Sequence, residues 1–86
     1  MATITTDRPY QSLSLTELGR VIANDWRPVN YAAKPYLDAM YDLYSIDDDY
    51  FQEDGRMIVA YFLSNASAWR GDVARSVKAE LKARLK

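Results

Sequence analysis

Seven consecutive apolar residues, Met57-Ile58-Val59-Ala60-Tyr61-Phe62-Leu63, must be taken out of water by a chain of only 86 residues. Such a chain is too short for more than one domain, so the run has to sit inside a single core. At helical period the run has no polar face, and a helix that is apolar all round is a buried one. A central strand is the competing reading. The neighbouring segments read as helical and a lone strand would have no partner, so we expect a central helix over residues 56-66.

The rest of the chain reads as helices and short joints, with three glycines, three prolines and no internal repeat. Residues 1-12 read as a flexible N-terminal arm and 13-86 as the single helical domain. Ser14-Leu15-Thr16-Glu17 spells a capping box and predicts a helix from Leu15 to Asp25, with Leu15, Leu18, Gly19, Ile22 and Trp26 on one arc. Pro28 ends it. Asn30 caps the next helix, which starts at Tyr31 with a kink or cleanly near Lys34, because Pro35 lacks an N–H. In that helix Leu37, Met40, Tyr41 and Tyr44 fall at i, i+3, i+4 and i+7, with Asp38 and Asp42 on the far side. Ser45 to Asp54 is a polar acidic joint, and Gly55 falls in the first turn of the apolar helix. Ser64 to Gly71 is either a continuation or a joint breaking near Asn65. A last helix is expected from Asp72, taken as its N-cap, to Leu85, with Val73, Val77, Leu81 and Leu85 inward. The fold class is all-α, a compact bundle of about four short helices.

Composition closes off much chemistry. Cysteine and histidine are both absent, which removes disulfides, Cys/His zinc sites, thiol nucleophiles and imidazole bases. No cofactor is expected, and an enzyme ranks last among the functional readings. With no secretion signal and no span of 18 apolar residues, a cytoplasmic protein without a membrane role is expected. The net charge of −1 hides an asymmetry: residues 1–54 carry ten acids against four bases, and residues 55–86 carry seven bases against two acids. That polarity bears on partners and leaves the fold untouched.

Three places invite a functional reading. The acidic stretch Asp47-Asp48-Asp49-Tyr50-Phe51-Gln52-Glu53-Asp54 fails the EF-hand register, because Gln52 stands where glycine is needed and Ile58 where the bidentate glutamate belongs. It reads as a solvated loop before a helix N-terminus, with weak cation binding as the alternative. The stripe Arg75, Lys78 and Lys82, with Arg70, Arg84 and Lys86 nearby, is a nucleic-acid candidate, set against the plain reading of a solvated face. Tyrosine is over-represented beside the acids, at Tyr31, Tyr36, Tyr41, Tyr44 and Tyr50. Tyr36 and Tyr41, at the rims of the second helix's apolar arc, together with Asp38 and Asp42, form a candidate protein-binding surface; simple packing is the plain alternative. Opposite charge on the two halves also permits a homodimer or pairing within one monomer. Arg70-Gly71-Asp72 spells an adhesion tripeptide by chance, its ordinary roles being a turn and a cap.

The stretches Trp26 to Met40, Ser45-Ile46-Asp47-Asp48 and Val59 to Gly71 resemble a group of small proteins from actinobacteria and their bacteriophages. The resemblance spans roughly residues 15 to 85 and brings no activity and no site residue. What it implies is a setting, that of a phage or mobile-element accessory protein. The leading expectation is a small helical interaction protein with a protein partner; the alternative is nucleic-acid binding by the last helix.

Overall fold

The computed structural model describes residues 9–50 and 53–86. Four helices are found there: α1 (Leu15–Asp25), α2 (Lys34–Met40), α3 (Gly55–Ser64) and α4 (Asp72–Leu85). A two-residue antiparallel ladder, β1 (Asp49–Tyr50) against β2 (Glu53–Asp54), lies between α2 and α3. The expected flexible arm falls outside the described residues up to residue 8; residues 9–12 form a turn, with Tyr10 packed on the core.

The main helix contacts run α1 to α2, α2 to α3, α3 to α4 and α4 back to α1, so the bundle closes as a ring. Leu18 and Ile22, Leu37 and Met40, Ile58 and Phe62, and Val77 and Leu81 fill it, two from each helix in turn. α3 is therefore one wall of the ring and not its axis. Ile58, Val59 and Phe62 are buried, but Met57 and Tyr61 are 41% and 40% exposed. A chain of this size lacks the surrounding layers needed to cover a helix on every side, which is why the all-apolar run keeps one wet face.

Local chemistry sets the helix ends. The Ser14 hydroxyl accepts from the Glu17 N–H at 3.1 Å while the Glu17 carboxylate accepts from the Ser14 N–H at 2.9 Å, so both halves of the capping box form. Asn30 Oδ1 accepts from the Ala32 N–H at 2.9 Å and shapes a turn over 31–33 that leads into α2 at Lys34. The Asp54 carboxylate accepts from the Met57 N–H at 2.8 Å and caps α3. At α4 the N-cap is Gly71, with φ of 115°, a backbone region open to glycine; Asp72, expected as the cap, sits one residue inside. α3 ends at Asn65, which donates from its amide to the Tyr61 carbonyl at 2.9 Å, and α3 and α4 are separate helices.

α2 is shorter than its apolar periodicity predicts, and the cause is tertiary. The chain leaves the helix after Met40 because its next carbonyls are taken by the start of α1. The Leu15 N–H donates to the Tyr44 carbonyl at 2.9 Å, and the Thr16 hydroxyl lies 2.8 Å from the Leu43 carbonyl and 3.1 Å from that of Tyr41. One of the orphan donors of α1 is thereby satisfied. Leu43 stays buried, but Tyr44, expected mid-arc, is 75% exposed.

Two substitutions test this architecture. Phe62→Ala empties a fully buried site at the centre of the ring and should cost about 3 to 5 kcal/mol in urea denaturation. Gly55 packs under the joint: a β-carbon there would lie 2.7 Å from the Ile46 carbonyl oxygen and 3.0 Å from that of Asp48. Gly55→Ala should therefore cost about 1 to 3 kcal/mol by the same measurement, although alanine is the better helix former.

Candidate functional site

The basic side of α4 is built around Trp69. The joint between α3 and α4 folds its indole inward, leaving it 2% exposed. There it stacks on Trp26, with ring centroids 5.8 Å apart, and meets Phe62 edge-on at 6.4 Å. The indole N–H donates to Asp25 Oδ2 at 2.8 Å, so the buried ring leaves no polar atom unpaired. Lys78 Nζ donates to the Trp69 carbonyl at 2.6 Å and lies 5.9 Å from the ring centroid. Burial pushes the Lys78 pKa down, and the neighbouring charges of Lys82 and Arg70 push it further the same way.

Around this lysine opens a cavity of about 460 Å³ whose walls include Trp69, Arg70, Ala74, Arg75, Lys78 and Lys82. Arg75 pairs with Asp72 one helical turn away. Among the described residues Arg70 and Lys82 have no carboxylate partner. The sequence stripe Arg75, Lys78, Lys82 is thus real as a surface, with Arg70 joined to it by the turn at Gly71. Arg84 does not belong to it. Its guanidinium turns to the other side of α4, where it donates to the buried Glu80 carboxylate at 2.6 Å and to the Tyr10 and Gln11 carbonyls at 3.0 and 3.2 Å. This pair was not legible as such; its one signal is the i, i+4 spacing of Glu80 and Arg84.

The four residues of the tyrosine and acid surface are divided between neighbours. Tyr36 leans towards α3, its ring 5.4 Å from that of Tyr61. Tyr41 leans towards α1, where its ring atoms come within 3.0 Å of where a β-carbon on Gly19 would stand, so this glycine makes room for it. Asp38 is exposed and pairs with Lys34 at 3.4 Å, and Asp42 is exposed. In place of one patch over all four, the structure sets Tyr36 beside the exposed Tyr61, which follows the exposed Met57 by one turn of α3. Those two were missed because an apolar residue in an apolar run carries no mark of which way it faces.

The aspartates of the acidic joint serve the fold. Asp48 Oδ2 accepts from the Tyr44 and Ser45 N–H groups at 2.9 and 3.1 Å, Asp47 accepts from Arg56 at 3.3 Å, and Asp54 caps α3. Among the described residues no group of three or more acidic side chains is arranged to hold a metal ion. Phe51 and Gln52, in the middle of the joint, lie outside the described residues.

α2 and basic α4 lie across the ring from one another without substantial contact, and among the described residues no ion pair joins them. No described helix is long and apolar enough to cross a membrane. Compared with known proteins, the chain matches no family model, no curated protein and no solved structure.

The Glu80–Arg84 pair yields a prediction for the fold that carries these surfaces. Arg84→Met removes one partner of a buried carboxylate and a donor to the Tyr10 and Gln11 carbonyls of the 9–12 turn. The variant should lose about 3 kcal/mol in urea denaturation and become cleavable in the 9–12 turn under limited proteolysis.

Proposed function

We propose that this is a small non-catalytic interaction protein that binds a protein partner through the face formed by Met57 and Tyr61 of α3 and Tyr36 of α2. The observation that carries the reading is the pair of large apolar side chains exposed one turn apart, Met57 at 41% and Tyr61 at 40%, with the Tyr36 ring against Tyr61. Methionine and tyrosine are enriched where proteins meet, and tyrosine supplies contact area at low entropy cost. α2, which supplies Tyr36, carries the exposed Asp38, and the exposed Asp42 follows its end. That charge disfavours a membrane surface or a nucleic acid as the occupant and leaves a protein. Tyr41, half-buried against α1, serves packing in this reading, and Asp38 and Asp42 serve solubility and steering. The phage or mobile-element setting rests on the resemblance of the Trp26 to Met40 and Val59 to Gly71 stretches, and a cytoplasmic location belongs to the same proposal.

The test is affinity capture from the native host with the wild-type chain, Tyr61→Ser and Met57→Ser, read by mass spectrometry. Both side chains are exposed, so the variants should melt within a few degrees of wild type. A protein retained by wild type should be lost from both variants, with each substitution costing about 2 kcal/mol of binding. Equal recovery on all three chains would remove this face from the reading. In light scattering the chain should run as a monomer at low and moderate salt; a dimer abolished by Tyr61→Ser would mean that the face binds a second copy instead.

A further inference from the structure

We propose that the cavity between Trp69–Gly71 and the outer side of α4 seats the phosphodiester backbone of a nucleic acid, gripped by Arg70, Arg75, Lys78 and Lys82 without reading its sequence. This is a second surface, independent of the Met57 and Tyr61 face.

Four cations line one cavity of about 460 Å³, and the described residues supply a single carboxylate to them, Asp72 on Arg75. Like charges gathered this closely work against one another: burial is the main cause of the lowered Lys78 pKa, the charges of Lys82 and Arg70 lower it further, and Lys78 is nonetheless held in place by the Trp69 carbonyl. An anion entering the cavity would relieve that repulsion.

The spacing favours a repeating polyanion. Arg75, Lys78 and Lys82 follow one another at i, i+3 and i+7. At 1.5 Å per residue they span about 10.5 Å of helix axis, long enough to meet more than one phosphate of a strand. The floor argues against the other anionic macromolecule, an acidic peptide. Trp69 and Ala74 are 2% and 1% exposed, so no aromatic face is offered for stacking. Peptide recognition leans on such contacts, whereas backbone recognition of a nucleic acid needs charge alone. Of the acidic half, the exposed Asp38 of α2 lies across the ring, without substantial contact with α4, and Asp25 is bound to the Trp69 indole N–H.

The experiment is fluorescence anisotropy of a labelled 20-base-pair DNA duplex titrated with the full chain from 20 to 200 mM KCl. Binding near ~10 µM is expected at the lowest salt, with log K falling against log[KCl] at a slope of about −3. A duplex of unrelated sequence should bind within about threefold. Lys82→Gln and Arg70→Gln, both at exposed positions and outside the packed core, should keep the wild-type melt and each reduce the slope by about 1. Poly-glutamate of equal charge should compete at least tenfold less well. No binding at 100 µM in 20 mM KCl, a slope unchanged in both variants, or poly-glutamate competing as well as DNA would each overturn the proposal.

Discussion

Trp69 joins three helices at one point. Its ring stacks on Trp26 at the end of α1 and abuts Phe62 of α3, and its carbonyl anchors Lys78 of α4. Its indole N–H closes on Asp25, the last residue of α1. An aromatic of this size contributes a large share of the apolar area a small domain can bury, and the stacked and edge-on geometries add to the gain from area alone. Because the joint before α4 must bring this ring inward, the backbone has to reverse at Gly71, where φ is 115°, and α4 starts from there with its cations facing out. Core and basic groove are two sides of one residue's placement.

A second constraint holds the opposite edge. The segment from Tyr41 to Asp48 leaves helical geometry and gives its carbonyls to the start of α1, while the Asp48 carboxylate binds the Tyr44 and Ser45 amides. The Asp48 carbonyl in turn accepts from the Gly55 N–H at 2.7 Å, against which a β-carbon at residue 55 would not fit. In the acidic stretch, read as a solvated loop before a helix N-terminus, Asp48 and Asp54 serve as backbone caps. Carboxylates that accept from main-chain amides replace water as the partner of those groups, which buried or half-buried turns require.

What could be read in the residues was whatever depends on near neighbours along the chain. The Ser14 to Glu17 capping box places α1 at Leu15–Asp25, and Asn30 with Pro35 leaves two start points for α2, of which the clean one at Lys34 is realised behind a capped turn. The basic stripe on α4 also follows from spacing. Its limit did not: Arg84 has the same charge and nearly the same position, yet it is half-buried against Glu80 and the Tyr10 and Gln11 carbonyls. The tyrosine and acid surface was legible only as a set of residue types. Tyr36 and Tyr41 stand on opposite rims of one short helix and lean on different neighbours.

By itself the sequence determined that this is an all-α domain without imidazole or thiol chemistry, that α1 starts behind its capping box, and that its charge is split between an acidic first part and a basic end. These follow from composition and from interactions within a few residues, which no packing arrangement alters. The tertiary structure alone decided which side of the apolar run stays wet, where α2 stops, and that α2 and basic α4 lie on opposite sides of the ring. Those outcomes depend on which surfaces compete for a limited amount of core. With four helices and one core, the ring can cover only the inner side of each, and Met57 and Tyr61 remain outside because Ile58, Val59 and Phe62 take the places within.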